Sequence, residues 1–149
     1  MDIGHLKYID EALKEAKKAY KKGEIPVGSL IIKDGKIIGR GHNLVETLQD
    51  PTAHAEIIAI RRAAKKMKNW RLTGCILYTT LEPCQMCKHA IEQSRISKVV
   101  YGCESNYYKL NRKFSFKKEK VGPELQKKCS GLLRQFFKRL RQKRQRSCP

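Results

Sequence analysis

Gly74-Cys75-Ile76-Leu77-Tyr78-Thr79-Thr80-Leu81-Glu82-Pro83-Cys84-Gln85-Met86-Cys87 is the stretch that decides the class of fold. From Gly74 to Leu81 it is an apolar, β-branched run of the kind that fills a central strand covered on both faces. Pro83 has no N–H to leave unsatisfied at a helix start, so a helix is predicted to open there and run to about Gln93. A buried strand that feeds directly into a helix is a building unit of α/β sheets.

Upstream, Ile9, Leu13, Ala16 and Tyr20 recur at helical spacing between His5 and Lys22, with Lys14, Lys17, Lys18, Lys21 and Lys22 elsewhere on the wheel and Gly23 as a stop. Val27 to Lys33 and Lys36 to Gly41 are β-prone runs separated by Asp34-Gly35, a pair suited to the positive φ angles of a two-residue hairpin. A polar loop from His42 to Asp50 leads into a second helix, with Ile57, Ile60, Ala64 and Met67 as the expected buried stripe and Asp50 or Thr52 as the expected cap. Downstream, Lys98 to Gly102 reads as a fourth strand, Phe114-Ser115-Phe116 as a short fifth, and Pro123 onward as an amphipathic helix ending in a basic tail, Arg141 to Arg146. The order α-β-β-α-β-α-β-β-α predicts an α/β fold: one mixed five-stranded sheet with helices on both faces.

Residues 1–149 amount to about one domain, whose basic C-terminal helix and tail occupy about 123–149. Lys and Arg number 33 against 14 Asp and Glu, a formal net charge of +19, of which residues 103–149 hold +12. That field suits a polyanion, and a free base or nucleoside has no need of it. Met1-Asp2-Ile3-Gly4 precedes a charged helical pattern rather than a secretory segment, and no apolar run approaches a membrane span. A reducing, cytoplasmic setting is therefore expected, with no membrane partner and with the six cysteines read as thiols or ligands. Cys75 and Cys129 fall in apolar patterns and are expected in the core, whereas Cys103 and Cys148 have no evident role.

The chemistry is concentrated in His54-Ala55-Glu56 and Pro83-Cys84-Gln85-Met86-Cys87. His54, Cys84 and Cys87 supply three ligands for one zinc ion, and a sphere with three protein ligands keeps a position for water, as catalytic zinc sites do. Cys84 and Cys87 are three apart at a helix start, where unpaired N–H groups and the dipole favour thiolate. His54 and Glu56 are two apart, so they can cooperate only at a helix end, and two helix N-termini are expected to converge on the metal. Glu56 is then the carboxylate placed to move protons beside the activated water. A structural zinc would require a fourth ligand; His89, His42, Cys75 and Cys103 are the candidates, and none has the paired spacing of a zinc finger.

The pattern His-x-Glu followed by Pro-Cys-x-x-Cys resembles that of zinc-dependent nucleobase deaminases. Asp50-Pro51-Thr52-Ala53-His54-Ala55-Glu56-Ile57, Asn69-Trp70-Arg71-Leu72, Leu81-Glu82-Pro83-Cys84, Ser94-Arg95-Ile96 and Glu24-Ile25-Pro26-Val27-Gly28 are similar to bacterial tRNA-specific adenosine deaminases. The likeness covers roughly residues 5–102 and returns at residues 132–139. It implies a three-layer α/β/α, cytidine-deaminase-like fold, one zinc per subunit, a homodimer, and conversion of adenosine to inosine at the wobble position of a tRNA with an ACG-type anticodon. It further implies substrate contacts from Asn43, Pro26, Val27, Leu81 and Phe137. Lys138, Arg139, Arg141, Lys143 and Arg144 offer cations to the backbone of the anticodon stem-loop.

One region departs from that family. Only Cys103 to Asn111 intervene where relatives have a longer loop and a short helix, which leaves the fifth strand either paired differently or stunted, with Tyr107 and Tyr108 as candidates for stacking on a base. Three other readings stay open at this point: a deaminase of free bases or nucleosides, a deaminase of single-stranded DNA or other RNA, and a structural-zinc module that binds nucleic acid without chemistry.

Overall fold

The computed structural model describes residues 3–105 and 112–147. In chain order its elements are α1 (Ile3–Lys21), β1 (Gly28–Lys33), β2 (Lys36–His42), α2 (Val45–Leu48), α3 (Ala55–Met67), β3 (Ile76–Leu81), α4 (Gln85–Gln93), β4 (Lys98–Cys103), β5 (Lys117–Lys120) and α5 (Pro123–Ser147). The strands form one mixed sheet ordered β2-β1-β3-β4-β5. β1 is antiparallel to both β2 and β3, while β3–β4 and β4–β5 are parallel. The expected hairpin is present, with Asp34 and Gly35 at φ +49° and +74°.

Strand alternation divides the core into two layers. Leu30, Ile32, Tyr78 and Val100 face one side and pack with Ile9 and Leu13 of α1 and Leu125 and Cys129 of α5. Ile31, Leu77 and Val99 face the other and pack with Ala59 and Ala63 of α3 and Ile91 of α4. Leu30, Ile31, Leu77, Val99 and Val100 are all 0% exposed. Each contributes on the order of 1.5–3 kcal/mol of burial. Cys75 and Cys129 lie in the core as expected. Among the described residues no helix is long and apolar enough to cross a membrane.

Four details differ from the sequence reading. The buried stripe of α3 is Ala55, Glu56, Ile58, Ala59 and Ala63; Ile57 and Ile60 are half-buried and Met67 is exposed. The cause is a close approach of α3 to β2, in which a Cβ on Gly39 would stand 2.5 Å from the Ala59 carbonyl and one on Gly41 would stand 2.4 Å from the Ala55 carbonyl. Only small side chains fit that face. Second, the N-cap of α3 is His54, with no side-chain cap, and Asp50 instead accepts hydrogen bonds from the N–H and hydroxyl of Thr52. Third, the polar loop after β2 contains α2, whose Glu46 and Thr47 N–H groups donate to the buried carboxylate of Glu24 at 3.1 and 2.7 Å. Fourth, the tail expected at Arg141–Arg146 is part of α5.

The fifth strand is stunted, not re-paired. Phe114 and Phe116 stack on each other and pack against the α3/α4 layer, but the paired strand lies later, at Lys117–Lys120, parallel to β4 and four residues long. Starting there leaves residues 104–116 for the connection, close to the dozen residues that a parallel crossover needs. Tyr107 and Tyr108 lie outside the described residues, as does Cys148.

The glycine contact is open to a direct measurement. Gly41→Ala forces the helix carrying His54 and Glu56 away from β2, and urea unfolding is expected to show a loss of about 1–3 kcal/mol, whereas Gly131→Ala, where the added Cβ meets nothing within 4 Å, avoids that clash.

Candidate metal and proton-transfer site

The two halves of the motif meet where two helices begin. His54 is the N-cap of α3 (φ −72°, ψ 156°) and Cys84 the N-cap of α4 (φ −71°, ψ 175°), with Cys87 one turn into α4. α4 thus opens just after Pro83 instead of at it. His54 Nδ1 lies 3.5 Å from the sulfurs of both Cys84 and Cys87, and all three donor atoms fall within 4.8 Å of one another. A tetrahedral zinc with Zn–S of about 2.3 Å and Zn–N of about 2.0 Å sets its N···S edges at about 3.5 Å, so the donor set fits that ion in both chemistry and spacing.

Among the described residues no fourth His, Cys, Asp or Glu joins the cluster. The candidates are committed elsewhere: His89 Nδ1 pairs with the Gln85 carbonyl, His42 with Glu15 and Lys22, and Cys103 Sγ donates to the Thr80 carbonyl, while Cys75 is buried in the α3/α4 layer. The cluster is open on the Cys84 side, which is exposed, and closed at Cys87, which is 0% exposed. Hydrogen bonds from Cys87 and from His54 draw the Cys84 thiol down to about 4, and the same contact with Cys84 raises the pKa of His54. Contact with Cys84, together with burial, pushes the Cys87 thiol up, so without a metal the thiolate character falls on Cys84, and a bound metal requires Cys87 to give up its proton as well.

Glu56 stands in the first turn of α3, buried and 3% exposed. Burial pushes its carboxyl up from the usual range. Ser29 Oγ and Thr79 Oγ1 lie 3.2 and 3.1 Å from the same carboxylate oxygen, and 2.9 Å from each other. They belong to directly paired residues of β1 and β3. The other carboxylate oxygen is not taken up by these two hydroxyls. A carboxyl whose pKa burial raises and whose one oxygen is held by two hydroxyls is arranged to take up and release a proton. Neither Ser29 nor Thr79 was singled out in the sequence, although Ser29 is the one polar side chain between Val27 and Ile32.

Of the residues expected to contact substrate, Asn43, Pro26, Val27 and Leu81 gather at one end of the strands, where β1 begins and β2 and β3 end. The N–H of Asn43 donates to the Val27 carbonyl at 3.2 Å, which ties the end of β2 to the segment before β1. Asn43 is buried and its Oδ1 accepts from the Val45 N–H at 3.1 Å; Pro26 and Val27 are buried, and Leu81 is half-buried at the end of β3. Phe137 is remote from this group in sequence and sits on α5, 39% exposed, edge-on to Phe136. Phe136, half-buried, packs edge-on against Tyr20 of α1 and lines the cleft beside it instead of entering the core. The five basic residues of α5 do not form one patch: Arg139 and Lys143 line a cleft beside Tyr20, with Arg139 donating to the Tyr20 hydroxyl at 3.2 Å, whereas Lys138, Arg141 and Arg144 lie outside that cleft.

Comparison with known proteins gives the same answer as the geometry. Residues 3–103 match the model of the cytidine and deoxycytidylate deaminase zinc-binding region. The chain belongs to the cytidine and deoxycytidylate deaminase family. Within this deaminase family it is 44% identical over 146 residues to the tRNA-specific adenosine deaminase of Bacillus subtilis (strain 168), covering 92% of this chain and 91% of that one. A solved tRNA:A34 deaminase, from work on A-to-I editing at the wobble position, superposes with a TM-score of 0.79 at 30% identity, covering 85% of this chain and 99% of that chain. The guanine deaminase of Bacillus subtilis superposes with a TM-score of 0.65 at 44% identity, covering 70% of this chain and 66% of that one. The α/β fold expected from the sequence is therefore the deaminase fold, and the match includes its zinc-binding region.

Beside the deaminase site, at the end of β2, His42 and Glu15 form a buried pair. Glu15 accepts from His42 Nδ1 at 3.1 Å, while Lys22 Nζ lies 2.9 Å from Nε2, so His42 is held neutral. Burial lowers its pKa below the usual 6.5, only partly opposed by the Glu15 hydrogen bond, with Lys22 and Arg62 adding to the depression. Unfolded His42 takes up a proton near 6.5 and the folded form only at lower pH. Its stability contribution is accordingly complete above about 6.5 and lost as pH falls below it. Denaturant titrations at pH 7.5 and 5.5 are expected to show a decline that is shallower in His42→Asn; an equal decline in both proteins removes His42 as its source.

Proposed function

We propose that this chain catalyses the hydrolytic deamination of adenosine to inosine at the wobble position of a tRNA with an ACG-type anticodon. The observation that carries this reading is the likeness to tRNA enzymes in both sequence and fold: 44% identity to the Bacillus enzyme over 92% of this chain and 91% of that one, and a TM-score of 0.79 with a solved tRNA:A34 deaminase. On this reading residues 1–149 act as one domain, in the cytoplasm, as a homodimer with one zinc per subunit.

His54, Cys84 and Cys87 would hold the zinc, which supplies the Lewis acidity that makes water a nucleophile near neutral pH. Glu56 takes the proton released as water oxygen bonds to C6 and delivers it to N1 of the purine. It then carries the remaining hydroxyl proton to the C6 amino group, the C–N bond breaks, and ammonia leaves inosine behind. Ser29 and Thr79 hold Glu56 in register for both transfers. Asn43, Pro26, Val27 and Leu81 line the pocket for the flipped base, and Phe137 with Lys138, Arg139, Arg141, Lys143 and Arg144 engages the anticodon stem-loop.

Incubation with total tRNA, an ACG anticodon stem-loop, adenosine, guanine and cytidine tests the proposal, with inosine read by sequencing and ammonia release measured for the small substrates. Inosine confined to the wobble position is the expected result; turnover of a free base with none on RNA overturns it. Changing Arg139, Arg141 and Arg144 to Ala is expected to weaken tRNA binding and to flatten the dependence of log K on log salt by about 2–3. Because Arg139 also packs at 5.3 Å over the Tyr20 ring, a double variant at Arg141 and Arg144 alone separates the loss of charge from the loss of packing.

A further inference from the structure

α1 and α5 meet along a seam on the sheet face opposite α3 and α4. They run the same way, with Asp10 near Lys128 at one end and Tyr20 against Phe136 at the other. Two clefts follow each other along the seam. The first, of about 760 Å³, has Leu13, Gly131 and Leu132 among its lining and is edged by Lys7, Lys14 and Lys17 of α1 and Lys127 and Lys128 of α5. Its acidic residues are Asp10 and Glu11. The second, of about 550 Å³, is edged by Lys21, Arg139, Lys143 and Arg146 and has no acidic residue in its lining.

Acidic neighbours account for only some of these cations. Lys14 pairs with Glu11 and Lys128 approaches Asp10 at 4.0 Å, but no ion pair involves Lys17 or Lys127 among the described residues. Both are exposed. From Lys7 to Lys21 the seam is about 21 Å long at the helical rise of about 1.5 Å per residue. Its far end reaches Gly23, just before the Pro26–Val27 segment that leads into β1 and Ser29 beside the buried carboxylate. Two successive cationic clefts along one helix–helix seam suit a chain of regularly spaced phosphates.

We propose that the α1–α5 seam is an RNA-binding track that continues from Arg139 and Lys143 along α1 and holds the phosphodiester backbone of the substrate beyond the loop that enters the active site. This inference rests on the tRNA reading for the identity of the RNA, and it extends the footprint to α1, whose lysines the sequence presents only as a solvated helix face. Charge favours RNA over a protein partner, because cations from both α1 and α5 edge the clefts and outnumber the two acidic residues there.

The test compares two charge-matched pairs. Lys17→Ala/Lys127→Ala removes two cations from the seam; Lys65→Ala/Lys66→Ala removes two from the exposed side of α3, across the sheet. Binding of a full tRNA transcript is measured at several salt concentrations by fluorescence anisotropy, together with binding to vesicles containing phosphatidylglycerol. The seam pair is expected to bind tRNA roughly tenfold more weakly at low salt and to lose about 1–2 from the salt slope, while the α3 pair stays near the wild type. Equal weakening by both pairs, or by neither, overturns the track, as does a seam defect confined to the vesicles. Circular dichroism and zinc content of each variant show that the fold is kept, and Lys17→Arg/Lys127→Arg restores binding if charge is what acts. Deamination by the wild-type protein is scored separately, so failure of the tRNA reading shows as absent inosine and failure of the track as indifference to the seam lysines.

Discussion

Glu56→Gln is expected to lower the turnover of tRNA by about 10²- to 10⁴-fold, the contribution of a positioned proton carrier, with zinc still bound. Glutamine has nearly the same shape and keeps an oxygen for the hydroxyls of Ser29 and Thr79, so the scaffold need not move. It also removes a carboxylate whose charged form burial disfavours. The melting temperature should therefore hold or rise while activity collapses, an opposition that a purely structural role for Glu56 does not produce. Single-turnover deamination assays, metal analysis and thermal melts on one preparation read all three quantities. Full activity in the variant would remove Glu56 from the mechanism.

Cys87→Ala is expected to give a different failure. Cys87 is the fully buried ligand, and without it His54 and Cys84 retain only two donors. Zinc content should drop from about one per chain to a small fraction, and activity should fall by at least ~10³-fold, since several kcal/mol of Lewis-acid stabilisation are lost. Metal bound only by the folded state also stabilises that state, so added zinc should raise the melting temperature of the wild type and leave Cys87→Ala unmoved. Atomic emission for the metal and zinc-dependent melting curves check both. A variant that keeps stoichiometric zinc would exclude Cys87 as a ligand. The two substitutions together separate the group that holds the metal from the group that moves the proton.

The parts of the site legible in the sequence are those set by short spacing. His54 with Glu56, and Cys84 with Cys87, are separated by two and three positions at helix starts, so local geometry leaves them few arrangements. The Asp34-Gly35 turn and the apolar β3 run are equally local. What the sequence hid depends on partners far along the chain. The alanine face of α3 is chosen by Gly39 and Gly41, and α2 is held by Glu24, more than twenty residues earlier. Phe114 and Phe116 alternate as strand residues do, yet the strand that pairs is Lys117–Lys120, charged at all four positions and without an apolar pattern to mark it. Ser29 and Thr79 look like ordinary strand hydroxyls until β1 and β3 are laid side by side.

That last pairing governs how the protein fails under heat or denaturant. Ser29 and Thr79 sit on strands bonded on both sides, whose amides exchange with solvent only when the whole sheet opens. The cradle of Glu56 is consequently part of the last structure to come apart, unlike an active site mounted on loops that fray first. Partial openings at β5 or at the far end of α5 can loosen the grip on a substrate, while the seat of the carboxylate survives until global unfolding.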